Sequence, residues 1–172
     1  AVDKENGKVN DTFVCPHCGR ELTKRNCTRA KETHFDTRLN ESVTMAKQVP
    51  VLINYSVGKK RYEKTPDEYD IALIEKINNM DISYWYPTDE LPKGYNTRQP
   101  KHSHGITHVH QFYTRRNAVL LACFMKKSTN KRLMIILTAS MLRTSKLYKF
   151  TLDRKMGTVS GTLYIPSLFT EN

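Results

Sequence analysis

The chain has 172 residues and a net charge of +11, with 38% hydrophobic and 26% charged residues. This balance is typical of a soluble globular protein, and no run of 18 apolar residues could span a membrane. The first residues lack the apolar segment of a signal peptide, and four cysteines with one Cys-x-x-Cys favour a reducing compartment over a disulfide framework. We therefore expect a cytoplasmic protein without a membrane partner.

Residues 1–42 predict a small β-rich part, with a hairpin turn at residues 5–8 and a strand at residues 12–14. The segment Cys15-Pro16-His17-Cys18-Gly19 has the spacing of one knuckle of a zinc ribbon, in which a tight turn points two thiolates at one ion. A structural zinc site needs four ligands, and Cys27 and His34 are the nearest further candidates, at poor spacing. We predict that Cys15 and Cys18 form half of a zinc site; a redox Cys-x-x-Cys is the alternative.

Residues 43–172 predict an α+β region in which a mixed sheet precedes a basic helical hairpin. Alternating apolar residues predict a strand within residues 43–57, and residues 58–60 turn the chain into a return strand. A helix is predicted from Pro66 to Asn79, with Thr65 as N-cap and Glu68 completing a capping box. Residues 82–86 predict a further strand, and residues 87–104 a long ordered loop.

Two apolar helices are predicted next, the first beginning after Thr114 and the second spanning residues 131–142. The polar residues 128–130 between them indicate a short helical hairpin. Both helices are apolar around most of their circumference, which predicts burial in something larger. A turn at residues 157–161 and a strand at residues 162–165 are expected to follow.

The positive charge lies in the second half of the chain. Residues 1–90 contain 14 Lys and Arg and 15 Asp and Glu, whereas residues 91–160 contain 14 Lys and Arg and the single acidic residue Asp153. The net charges are therefore −1 and +13. A solvated basic face is one explanation, but an asymmetry of this size favours a polyanionic partner held by phosphate contacts.

Candidate phosphate-binding residues occur in three motifs of this basic half. Two His-x-His pairs, at residues 102–104 and 108–110, could order a phosphate-facing loop or, alternatively, hold a metal ion. Arg115-Arg116 begins a helix, where the dipole disfavours cations unless an anion is near, and residues 143–150 alternate cations with hydroxyls and aromatics. The predicted DNA-contacting residues are Arg98, Lys101, His104, His108, Arg115, Arg116, Arg143, Lys146 and Lys149.

Several segments together resemble the middle of a known family. They are Tyr84–Asp89, Gly94–Pro100, His104–Asn117, Arg143–Leu147 and Ser160–Ser167. They resemble the restriction–modification-type, adenine-specific DNA methyltransferases that use S-adenosylmethionine, and the resemblance extends from the Cys15–Cys18 knuckle to Ser167.

The resemblance implies a target-recognition segment of a larger enzyme. In that family the cofactor motif Phe-x-Gly-x-Gly precedes this region and the catalytic Asp-Pro-Pro-Tyr or Asp-Pro-Pro-Phe motif follows it, and neither occurs here. The first Cys-x-x-Cys of the family's zinc ribbon would precede Ala1. We therefore expect a piece that binds double-stranded DNA, contacts the remaining domains of its parent, is not catalytic alone and leaves S-adenosylmethionine to the parent. The alternatives are a metal-dependent nuclease using the His-x-His pairs and a zinc-ribbon protein-interaction module.

Overall fold

The computed structural model describes residues 2–3, 8–23, 25–151, 156–159 and 163–171. In these residues every sheet consists of two antiparallel strands. The pairs are β1 (Val2–Asp3) with β2 (Lys8–Val9), β3 (Thr12–Val14) with β4 (Glu21–Thr23), β5 (Lys31–Asp36) with β6 (Glu41–Ala46), β7 (Ile53–Val57) with β8 (Lys60–Lys64), and β9 (Tyr148–Thr151) with β10 (Met156–Val159).

Helices occupy the middle of the chain. They are α1 (Glu68–Asn78), α2 (Tyr95–Gln99), α3 (Arg115–Lys127) and α4 (Lys131–Met141), with a π-helical turn at Pro100–His104 and a 3-10 turn at Val109–Phe112. The α+β class is confirmed. The expected mixed sheet is not found, because each described strand pairs with one antiparallel neighbour. Within the described residues no helix has the length and apolarity needed to cross a membrane.

The caps explain where the helices begin. Asp67, rather than the predicted Thr65, is the N-cap of α1: its side chain accepts the amide of Asp70, whose carboxylate accepts the amide of Asp67 in return. Lys64 pairs with both carboxylates and so favours this cap. The two helices of the predicted hairpin are confirmed, with Thr114 capping α3 and Asn130 capping α4.

The strand predicted at residues 82–86 is wrong. The carbonyls of Ile82 and Tyr84 accept hydrogen bonds from the guanidinium of Arg38 instead of from a neighbouring strand. The loop predicted at residues 87–104 is partly wrong, since α2 and the π-helical turn lie inside it.

Near the end of the chain, residues 157–159 belong to β10 rather than to the predicted turn, and residues 163–165 form no strand. Residues 160–162 of these two predictions lie outside the described residues, as do residues 5–7 of the first predicted hairpin turn.

Two apolar clusters form the core. The larger joins side chains from the central segment to others near the end of the chain: Leu91, Ile106, Phe112, Leu147 and Ile165. The smaller packs Ile82 and Tyr86 against Ala122 of α3. The core therefore holds residues 82–112, α3 and the segment after α4 together, and it fixes where the basic residues of the second half lie.

The β5–β6 hairpin packs on this core and was not predicted. The domain boundary expected between residues 42 and 43 falls inside β6, so the hairpin spans both predicted parts. Gly105 closes the π-helical turn with φ of 70° and lies so near β6 that a Cβ at this position would clash with the carbonyl oxygen of Thr44. The sequence needs glycine here for its backbone angle and for this close approach.

Candidate nucleic-acid interface

Four exposed cations lie at the tip of the helical hairpin. Lys126 and Lys127 end α3, Lys131 and Arg132 begin α4, and residues 128–130 connect the two helices. We call these four residues the basic tip. No ion pair in the described part of the chain involves them.

The helix dipoles act differently on the two sides of the basic tip. Lys126 and Lys127 lie at a helix C-terminus, where positive charge is favourable, whereas Lys131 and Arg132 lie at a helix N-terminus, where it is unfavourable. Four like charges within seven residues also repel each other. A bound anion would relieve both effects, and phosphate groups are anions of the size and charge that helix N-termini and lysines accommodate.

Three of the predicted DNA-contacting residues are exposed at other positions of the basic half. Arg98 lies on α2, Arg143 follows α4, and Lys149 lies on β9. Their exposure leaves each side chain accessible to a phosphate backbone.

Arg115, Arg116 and Lys101 have protein partners. The Arg115 guanidinium donates to the carbonyl oxygen of Met80, with a distance of 2.8 Å from Nε. Arg116 Nε lies 2.9 Å from a carboxylate oxygen of Glu171, and Lys101 Nζ donates to the carbonyl oxygen of Leu91 at 2.6 Å. These contacts give each cation a structural role, so the pair Arg115-Arg116 is not simply solvated.

Two of the predicted DNA-contacting residues are buried, so the prediction that they contact DNA is wrong. Lys146 is 4% exposed, and its Nζ donates to the carbonyl oxygen of Gln111 at 2.9 Å. Burial lowers the pKa of Lys146 to about 8, although Glu171 and Glu32 act in the opposite direction. A lysine in this position stabilises the core segment and does not reach a surface phosphate.

His104 is the second of these, at 6% exposed. Its Nδ1 lies 2.8 Å from Ser103 Oγ. Burial, together with the smaller effect of the charges of Arg29 and Lys146, lowers the pKa of His104 to about 4. His104 is therefore neutral at pH 7 and cannot provide a positive charge to DNA.

The rings of His108 and His110 lie 5.9 Å apart, centre to centre, but each has its own hydrogen-bond partner. His108 is half-buried, with Nδ1 2.9 Å from Thr107 Oγ1, and His110 Nε2 contacts Asp36 Oδ2 at 2.7 Å. Among the residues that the structure describes, no three His, Cys, Asp or Glu side chains are grouped so that they could hold a metal ion. The geometry thus gives His104, His108 and His110 structural contacts.

Cys15 and Cys18 flank the turn between β3 and β4. The amide of Gly19 donates to the carbonyl oxygen of Cys15 at 3.0 Å, and Gly19 adopts φ of 70°. The amides of His17 and Cys18 donate to the sulfur of Cys15 and lower the pKa of this thiol, with a smaller contribution from the Cys18 side chain. Both thiols are accessible, and this turn suits two zinc ligands, but no third ligand is near them in the described residues.

The basic tip was not among the predicted DNA-contacting residues, although its four residues contribute to the positive charge of the basic half. The available signal was their position at the two ends of a predicted helix–helix connection, where side chains are exposed. Comparisons of this chain with protein-family models, with curated proteins and with solved structures found no match.

Proposed function

We propose that this chain is a DNA-binding segment of a larger S-adenosylmethionine-dependent, adenine-specific DNA methyltransferase, which grips double-stranded DNA for target recognition. The observation that carries the proposal is the basic tip, with four exposed cations that have no acidic partner among the described residues. Arg98, Arg143 and Lys149 add accessible positive charge. Phosphate contacts of this kind provide affinity that does not depend on sequence.

The exposed apolar side chains of the helical hairpin support a role inside a larger protein. Ile135 is 68% exposed, Ile136 61% and Leu120 59%. Leu120, Phe124 and Ile136 line one open groove between α3 and α4. A surface with this much apolar area is typical of an interface, and the remaining domains of the parent methyltransferase are the partner we propose for it.

The methyltransferase assignment rests on the sequence resemblance. The chain contains no Gly-x-Gly and no Asp-Pro-Pro, so we propose that it is not catalytic alone and that S-adenosylmethionine binds other parts of the parent. Cys15 and Cys18 would supply two of four zinc ligands. The cytoplasm is the compartment that suits accessible thiols and a DNA substrate.

The two rival functions have less support. A nuclease centre would need at least three His and carboxylate side chains around one metal ion, whereas His110 meets the single carboxylate of Asp36 and no such group of three occurs among the described residues. A zinc-ribbon protein-interaction module would not require the positive charge of the basic tip.

Variants of the basic tip test the proposal. Lys127→Gln with Lys131→Gln should weaken binding to a labelled DNA duplex, measured by fluorescence anisotropy, by about tenfold near 0.1 M salt. The matched control is Lys59→Gln with Lys60→Gln, which removes the same charge from the exposed end of the β7–β8 hairpin. Equal affinities for the two double variants would contradict a DNA-binding role for the basic tip.

A further inference from the structure

Cys15 and Cys18 lie in one tight turn, which joins the paired strands β3 and β4. Two backbone hydrogen bonds close this turn. The Cys15 amide donates to the carbonyl oxygen of Arg20 at 2.8 Å, and the Gly19 amide donates to the carbonyl oxygen of Cys15 at 3.0 Å. The backbone that carries the two sulfur atoms therefore has a defined shape.

The side chains of these two cysteines are hydrogen-bonded to each other. The amides of His17 and Cys18 also donate to the Cys15 sulfur. Cys18 is exposed and Cys15 is half-buried, so a small molecule reaches the Cys18 sulfur more easily. Two neighbouring thiols, at least one of them accessible, are the starting point for an internal disulfide.

A complete zinc site of four ligands would protect both thiolates from oxidation. In the part of the chain that the structure describes, no third His, Cys, Asp or Glu side chain joins Cys15 and Cys18 in such a site. Two ligands hold a zinc ion weakly, and each release of the ion leaves both thiols free to react.

We propose that Cys15 and Cys18 form a reversible redox site, which exchanges thiols for a disulfide with small disulfides such as glutathione disulfide. The Cys18 thiolate attacks one sulfur of the small molecule, whose S–S bond breaks and releases the first thiolate. The Cys15 thiolate then attacks the Cys18 sulfur, which forms the internal disulfide and releases the second thiolate. The chain loses two electrons and two protons, and the small disulfide becomes two thiols.

Oxidation and zinc binding exclude each other at this turn, because zinc binds thiolates and the internal disulfide has none. In the parent methyltransferase that we propose, oxidation of this turn would remove two of the four zinc ligands. The exchange reaction itself does not depend on DNA binding, so this inference and the proposed function are tested separately.

The experiment uses the full chain, freed of zinc by a chelator, in about 1 mM glutathione and about 1 mM glutathione disulfide. We expect about ten chains with the internal disulfide for each chain with both thiols, because the second step is intramolecular. Mass spectrometry of alkylated peptides measures this ratio. Cys27 is exposed and nine residues from Cys18, so it should stop at a mixed disulfide with glutathione.

Two variants separate the steps of the reaction. Cys15→Ser should leave glutathione attached to Cys18, because the second nucleophile is missing. Cys27→Ser, the matched control, should leave the ratio of internal disulfide to dithiol unchanged. In the unaltered chain, oxidation should weaken zinc binding at least about tenfold, and a reductant should restore it.

An excess of the dithiol over the internal disulfide in the unaltered chain would overturn the proposal. Glutathione attached to both Cys15 and Cys18, or a disulfide from either of them to Cys27, would overturn it as well. An oxidised chain that binds zinc as tightly as the reduced chain would show that this turn does not couple oxidation to zinc release.

Discussion

Asp36 at the end of β5 and His110 in the 3-10 turn are 74 residues apart in the sequence, and Asp36 Oδ2 lies 2.7 Å from His110 Nε2. The side chains are 9% and 11% exposed. Burial lowers the pKa of His110 and outweighs the hydrogen bond to Asp36, which acts to raise it. His110 is therefore neutral at pH 7, and its Nε2–H donates to the carboxylate of Asp36.

The carboxylate of Asp36 is held by more than His110. Burial raises its pKa, but the hydrogen bond from His110 and those from the amides of Arg38 and Leu39 together bring this pKa below its ordinary value. One side chain thus joins the β5–β6 hairpin to the central segment and also fixes the turn that contains Arg38, whose guanidinium donates to the carbonyl oxygens of Ile82 and Tyr84.

We expect Asp36→Ala to lower the free energy of unfolding by about 2 to 4 kcal/mol, because it leaves buried donors without an acceptor. Urea denaturation followed by circular dichroism measures the change. The control Asp81→Ala removes an exposed carboxylate and should change stability by about 0.5 kcal/mol or less. A similar loss in both variants would show that the Asp36–His110 contact contributes nothing specific.

Gly105 and Gly58 form a matched pair for backbone strain and close packing. Both have φ near +60 to +70°, but a Cβ at Gly105 would clash with Thr44, whereas none of the described atoms lies within 4 Å of a Cβ at Gly58. Gly58→Ala should therefore cost about 1 kcal/mol for backbone strain, and Gly105→Ala at least about 2 kcal/mol more. If the two variants unfolded at the same midpoint concentration of urea, the close contact between the π-helical turn and β6 would be contradicted.

The local sequence predicted those elements that short-range signals determine. Thr114 and Asn130 precede apolar runs as helix caps, and Gly58 separates two strands of alternating pattern. The β5–β6 hairpin had no such signal, because all but the last residue of β5 are exposed and polar side chains dominate it. Its turn contains Asn40 with φ of 55°, a conformation that asparagine tolerates. A single asparagine is only a weak sequence signal for a hairpin turn.

The candidate site was predicted only in part, because burial depends on contacts between distant residues. In the sequence, Lys146 lies among cations and hydroxyls and has the pattern of a surface residue. In the fold, the neighbouring Leu147 packs in the core with Ile165, and Lys146 is buried beside them. The partners of Arg115 and Arg116 are likewise distant in sequence. Charge counts located the basic half correctly and could not separate its exposed cations from its buried ones.

Stability should decrease as the pH falls below about 6.5. His104 has a pKa of about 4 in the folded chain against 6.5 as its ordinary value, so the unfolded chain takes up a proton first. His104 contributes about 3 kcal/mol to the free energy of unfolding above pH 6.5, and this contribution is lost as the pH falls towards 4.

Urea denaturation at several pH values measures how the free energy of unfolding depends on pH. The proteins compared are the unaltered chain and two histidine variants. His104→Asn should reduce the dependence between pH 6.5 and 4, whereas His102→Asn, at an exposed position, should retain it. An unchanged slope in His104→Asn would show that His104 is not the group responsible.

Zinc should bind the chain weakly or substoichiometrically, because the turn between β3 and β4 supplies two ligands. Metal analysis after dialysis should give well below one zinc per chain, and Cys15→Ser should abolish what remains. Cys27→Ser, a control at another exposed cysteine, should have no effect. One tightly held zinc per chain that depends on Cys27 or His34 would show that the half-site interpretation is wrong.

The salt dependence of duplex binding tests the central claim most directly, since it counts the phosphates that the exposed cations neutralise. With a labelled duplex and the full chain, log affinity should fall with log salt at a slope of about −4 to −5 if roughly five phosphates are contacted. Lys127→Gln with Lys131→Gln should bring that slope about one to two units closer to zero, and the buried Lys146→Met should leave it unchanged. A flat dependence between 0.05 and 0.2 M salt, or an equal effect of the buried and the exposed substitutions, would contradict a DNA-binding basic surface.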